Sequence, residues 1–227
     1  MARQPNRSDA IFASIRRAII EQALKPGTKL PEDQIGEAYG VSRTGVRNAL
    51  VRLTSEGLVE MRPNRGAAVA QPTLEEARDA FDIRRFLESE VVRRLCQRMS
   101  KDAIDALEAH VREEERALRG ASARSIRLAG EFHILMAELT TSKTLTDYVS
   151  RSVSRCSLIL AQYGRPHSAE CGVDEHREII EALVSQDSEK AMRLMDDHLG
   201  SVSARALLKP DSPEPDIAAI LSSYAEG

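Results

Sequence analysis

Three of the five histidines stand where an imidazole could do chemistry. His176 is in register with Ile180 and Leu183. His198 lies three residues after Met195 and four after Leu194, with Val202 a turn further on, and His133 follows Phe132 and precedes Met136 by three. Such spacing places each ring on the apolar stripe of a helix. A buried imidazole needs a polar partner, and one divalent cation would serve three of them at once. Two readings stay open: a metal held by His133, His176 and His198, or three hydrogen-bonded core histidines. His110 and His167 read as surface or loop residues. A second group is cationic. Arg43, Thr44 and Arg47 share an arc on the first two turns of one helix that Ser42 can cap, and Arg62, Arg65 and Gly66 fall in a turn-rich stretch soon after. Either arginine could fork onto guanine O6/N7 or grip a phosphate, and Thr44 could contact a phosphate. Arg65 with Gly66 would suit a loop laid along a minor groove, and Arg62 could add a phosphate contact. Two arginines alone would merely solvate a helix face. A capped helix after a tight turn, followed by a basic hairpin, favours nucleic-acid contact.

The elements that must carry these groups are mostly helical, since 4% aromatics and no Trp argue against a large sheet. A first helix is expected from Ser8 through Ile11, Ile15 and Ile19 to Leu24, before Lys25-Pro26-Gly27. A second opens near Pro31 and stops at Gly40. A third starts at Ser42 and runs to Gly57, with Val46, Leu50 and Leu53 on its inner arc. Leu58–Met61 and Ala67–Ala70 flank turn chemistry and read as a small hairpin. Helix, short helix, turn, helix and hairpin is the order of a winged helix-turn-helix. Six further helices are expected over about 74–98, 101–119, 122–140, 143–163, 168–186 and 188–207, forming an antiparallel bundle. A proline-rich segment, Pro210 to Pro215, then leads to a tail with a turn of helix around Ile217 to Tyr224. The expected division is therefore residues 1–72 for the DNA-binding head, 73–207 for a helical body, and 208–227 for the tail.

The net charge of -3 conceals an asymmetry. Residues 1–72 hold 11 Lys and Arg against 7 Asp and Glu, and the remainder 21 against 28. A basic front on an acidic body points to a polyanion at the front. No run reaches the roughly 20 apolar residues of a membrane span, and residues 1–10 are polar where a secretory signal has an apolar block, so a soluble, cytoplasmic protein is expected. Cys96, Cys156 and Cys171 are odd in number and widely spaced, which fits small buried hydrophobes better than a disulfide framework.

The run from Gly27 to Glu32, then Tyr39-Gly-Val-Ser-Arg-Thr-Gly-Val-Arg-Asn-Ala-Leu50, Arg52-Leu53, Glu56 to Val59 and Asn64-Arg65-Gly66 closely resembles the DNA-binding domain of the GntR family. Gly45 and Asn48 stand where that family usually has Pro and Glu. Gly inside a helix costs about 1 kcal/mol against Ala, so a slightly looser recognition helix is expected. From about 74 to 206 the chain resembles the FCD effector domain of the FadR subgroup, on Arg84-x-x-Leu87-Glu88, Glu131-Phe132-His133, Asp174-Glu175-His176 with Ile179, Ala182 and Leu183, and Ala191 with His198-Leu199. The resemblance implies a bacterial transcription regulator, normally a repressor, that binds a palindromic double-stranded DNA operator as a homodimer.

In metal-binding members an Asp four residues before the Phe-His histidine completes a site of one carboxylate and three histidines. Here that position is Ala129, which cannot ligate. A metal held only by neutral imidazoles keeps its full +2 charge and gains appetite for an anion. Zinc tolerates three histidines with an open position, and nickel or manganese are alternatives. Arg84 matches a cavity-facing arginine of the family. It is expected either to clamp an effector carboxylate or to form a surface salt bridge with Glu88 at i+4. The effector class implied is a small organic acid or sugar acid. Two rival readings are a metal-dependent hydrolase and a metal-free helical dimerisation scaffold.

Overall fold

A computed structural model of the chain describes residues 7–63, 65–119, 122–164 and 169–207. Asn64, His167 and the proline-rich tail with its expected turn near Ile217 lie outside the described residues, as does the side chain of Cys171. The front begins with α1 (Arg7–Ile20), β1 (Lys29–Leu30), α2 (Glu32–Tyr39), α3 (Arg43–Ser55), β2 (Val59–Arg62) and β3 (Gly66–Val69). Ile11, Ile15 and Ile19 recur every four residues on α1 and are buried with Val46, Leu50 and Leu53 of α3. Each such side chain contributes about 1.5–3 kcal/mol on leaving water. Gly40 ends α2 in the left-handed conformation (φ 60°), and the Ser42 hydroxyl accepts the Gly45 N–H at 3.4 Å to start α3. The sheet runs β1-β3-β2, antiparallel throughout, with Val59 opposite Val69 and Leu30 opposite Ala67.

Two details depart from the sequence reading. The first helix stops at Ile20, short of Leu24, because Gln22 turns left-handed (φ 59°) and the Leu24 N–H closes back onto the Ala18 carbonyl at 3.0 Å. A third strand, β1, completes the wing sheet; two residues are too few to show an alternating pattern.

Behind the wing come α4 (Leu74–Cys96), α5 (Lys101–Leu118), α6 (Ser122–Leu139), α7 (Lys143–Tyr163), α8 (Ala169–Val184) and α9 (Ser188–Leu207). A capping box opens α4: Thr73 Oγ1 accepts the Glu76 N–H at 3.2 Å while Glu76 accepts the Thr73 N–H at 2.7 Å. In the bundle α4 packs on α7 and α9, α5 on α6 and α8, and α8 on α9. Leu95, Leu107, Phe132, Met136, Val149, Ile179, Leu183 and Leu199 fill its core.

The head is seated on the bundle. Leu158 of α7 is fully buried within the head's own apolar cluster, and Arg16 of α1 donates to the Ser150 carbonyl (3.1 Å) and the Ser154 hydroxyl (2.6 Å). Arg127 of α6 reaches Glu21, just past α1, at 2.8 Å.

Candidate functional site

The front presents its cations outward. Ser42, Arg43, Thr44 and Arg47 are exposed at the start of α3, while the opposite arc is buried. Arg43 is forked onto Asp33 of α2, with Nη2 to Oδ2 at 2.7 Å and a second contact from Nε to Oδ1. Both side chains are mostly exposed, so this pair holds Arg43 only weakly. Arg47 makes no ion pair among the described residues. Ser42 is engaged as the helix cap. On the wing, Arg62 bonds Glu60 at 2.8 Å, and Arg65 and Gly66 are exposed at the tip, where Gly66 takes a φ of 75°. Gly45 has a local cause: a Cβ there would lie 2.4 Å from Cγ1 of Val41, which occupies that space.

The second site lies inside the bundle. His133 (α6), His176 (α8) and His198 (α9) are all buried, and one ring nitrogen from each lies within 4.8 Å of the other two. Each Nδ1 is bonded to a carboxylate from an element the sequence reading did not connect to it: His133 to Glu88 of α4 (2.5 Å), His176 to Glu114 of α5 (2.8 Å) and His198 to Glu175 of α8 (2.5 Å). The Phe132 ring stacks on His176 at 3.9 Å and fixes its plane.

Electrostatics decide which protons are where. Burial opposes ionisation of Glu88, but His133 and Arg84 beside it bring its carboxyl to about 2. Burial likewise works against Glu114, and hydrogen bonds from His110 and His176 carry it below the usual range. The hydrogen bond from His198 does the same for Glu175. Burial pushes His133 down to about 3 and His198 down as well. Ionised carboxylates accept, so Nδ1–H of each ring is the donor, and Nε2 of His133 and His198, both held neutral by burial, is left as a lone pair. The Nε2 atoms of His133 and His198 then face each other at 3.2 Å, and His176 Nε2 is buried with no hydrogen-bond partner among the described residues. Two facing lone pairs and the unpartnered His176 nitrogen, with no donor among the described residues, form a set that a cation would satisfy.

These rings form one wall of a cavity of about 460 Å³ that also takes in Arg84, Ala129, Arg205 and, from the head, Gln22. Arg84 lies on the cavity and pairs with Glu88, Nε to Oε1 at 2.6 Å. That pair is buried, not the surface salt bridge expected from its spacing. His110 differs from expectation too: it is half-buried, bonded to the Leu128 carbonyl at 2.9 Å, and lies 3.2 Å from Glu114. Glu88, Glu114, Glu175, Arg205 and Gln22 were not picked out as site residues. The i+4 steps Arg84–Glu88 and His110–Glu114 were the available signals.

Residues 7–69 match the family described as bacterial regulatory proteins, gntR family, and residues 79–201 match the FCD domain. The HTH-type transcriptional repressor RspR of Escherichia coli K12 is 26% identical over 197 residues, covering 85% of this chain and 86% of that protein. The Uxu operon transcriptional regulator of the same strain is 28% identical over 224 residues, covering 87% and 85%. A solved structure of E. coli McbR/YncC superposes with a TM-score of 0.78 at 18% identity, over 97% of this chain and all of that one, which establishes a shared fold. The relatives are named as regulators, not as enzymes.

Proposed function

The chain belongs to the GntR family of bacterial regulatory proteins, with an FCD domain behind its winged helix-turn-helix, and from that premise we propose that it is a repressor released from its operator by a small carboxylate or sugar acid. The reading is carried by one observation: three carboxylate-held imidazoles converge on a cavity whose rim includes a residue of the DNA-binding head.

The donor set fits a divalent cation. Nε2 of His133, His176 and His198 would hold it, with zinc the best match and nickel or manganese as alternatives. When bound it supplies a Lewis-acidic, positively charged anchor for an effector oxygen. Arg84 works from behind: by charging Glu88 it keeps His133 in the tautomer that offers Nε2.

Signal transfer follows α6. Its Arg127 bonds both oxygens of Glu131 at 2.7 Å and Glu21 of the head at 2.8 Å, and Ala129 between them lies on the cavity. An effector that draws α6 toward the histidines shifts this strut and with it the head. A two-headed reader needs two copies, because half-sites sit at a fixed separation. The apolar side chains Ile83, Phe86 and Tyr148 are 55%, 79% and 57% exposed on α4 and α7. A second copy of the chain is their proposed cover.

The test is a mobility-shift assay with the DNA flanking the protein's own gene. A retarded complex is expected, dissolved by an organic acid in zinc-loaded protein and not after chelation. Absence of any complex, or release that survives His133→Ala, His176→Ala and His198→Ala together, would overturn the reading.

A further inference from the structure

Arg205 is the one cavity arginine whose Nε is buried without a hydrogen-bond partner among the described residues, and no ion pair is formed by it there. Arg84, by contrast, is committed to Glu88. A buried N–H on a permanently charged group is costly to leave unsatisfied, so a group outside the described residues is needed to meet it.

The position of Arg205 is informative. It lies seven residues, two helical turns, beyond His198 on α9 and on the same face. Helix rise sets the two Cα atoms about 10 Å apart, and side chains lean toward the helix N-terminus, which swings the guanidinium back toward the imidazole. Between the two poles the wall is partly apolar, from Ile126, Leu160 and Val202. At the histidine pole, Ala129 leaves the cation without a protein carboxylate. One end of the cavity therefore has room for an anionic ligand atom, the other holds an arginine whose Nε has no hydrogen-bond acceptor among the described residues and on which the cavity carboxylate Glu175 acts only through space, and a partly apolar wall lies on the same cavity.

We infer that the cavity selects a short dicarboxylic acid, one carboxylate filling the place that Ala129 leaves open at the histidine cluster and the other taken in a fork by Arg205. The inference rests on the effector reading above and narrows it from acids in general to diacids.

Calorimetric titration of the full chain, zinc-loaded, tests it with succinate, glutarate and adipate against the monoacids butyrate, valerate and hexanoate. At least one diacid is expected to bind tenfold or more tighter than the monoacid of equal length. Arg205→Gln should reduce that preference to less than twofold while leaving monoacid and zinc affinities within twofold. Equal binding of diacids and monoacids by the unaltered chain would overturn the inference, and that comparison stands even if the variant does not fold. A preference that persists in folded Arg205→Gln would overturn it too. Failure of every acid to bind would instead refute the carboxylate-effector reading, and this inference with it.

Discussion

The protonation of His133 gives the sharpest quantitative consequence. Its folded value is depressed by burial to about 3, against 6.5 in an unfolded chain. Between pH 7.5 and 5.5 the unfolded chain therefore takes up a proton at this position and the folded chain does not. Stability must fall as the pH falls, by RT ln 10 over this interval, or about 1.4 kcal/mol. Any folded value below about 4.5 gives nearly the same figure. His198, also pushed down by burial, acts in the same direction. His110 acts oppositely: burial works against its charged form, but hydrogen bonds to Glu114 and the Leu128 carbonyl raise it. The clean measurement is therefore a difference. Urea unfolding of chelator-treated wild type and His133→Gln, followed by circular dichroism at the two pH values, cancels the common histidines, and the Gln amide retains a donor for Glu88. The wild type should lose about 1.4 kcal/mol more than the variant over this range. An identical pH response would mean that His133 titrates normally and that its Nε2 is not the standing lone pair the cation reading requires.

Three further outcomes test other parts of the molecule. Arg47→Ala should weaken operator binding roughly tenfold to a hundredfold if it reads a base edge, by fluorescence anisotropy at fixed salt; unchanged affinity would move recognition off α3. Phe86→Glu places a charge on the most exposed apolar side chain of α4 and should convert a dimer to a monomer in sedimentation velocity, whereas an unaltered dimer would place the interface elsewhere. Arg127→Ala removes the strut to Glu21 and should leave acid binding within twofold while weakening operator release by up to about fivefold; normal release would exclude this route for the signal.

Much of the fold is legible in the residues because local signals agree with one another. Gly40 and Ser42 bracket the turn before α3, and the isoleucine stripe of α1 has no alternative face to bury. The end of α1 is hidden because a Gln, not a Gly, turns left-handed there. The histidines are legible as three inward positions, since helical period alone places them. Their carboxylate partners are not, because 45 positions separate His133 from Glu88 and 62 separate His176 from Glu114, and only the packing of α4 on α6 and of α5 on α8 closes those gaps. Arg205 was invisible for a related reason: an arginine near a helix C-terminus ordinarily looks like a solvated cation complementing the dipole.

On the proposed reading, the same long-range pairings would let a site built this way act as a sensor. Three rings on α6, α8 and α9 are oriented by carboxylates on α4, α5 and α8, so five helices must hold register for the Nε2 atoms to converge. A ligand that tightens the cluster favours one packing of all five over others, and its differential affinity for that packing is the whole of the energy available for signalling. The head meets the bundle through contacts of different character, among them Leu158, the Arg16 bonds to Ser150 and Ser154, and the Arg127–Glu21 pair. Leu158 is apolar and fully buried in the head's cluster. The Arg127–Glu21 pair is polar and partly exposed, so it can lengthen or break at a cost of about 1 kcal/mol or less. On the proposed reading, a buried apolar contact beside weaker polar ones would let the head swing without unseating, the motion that a change of half-site spacing requires while both domains stay folded.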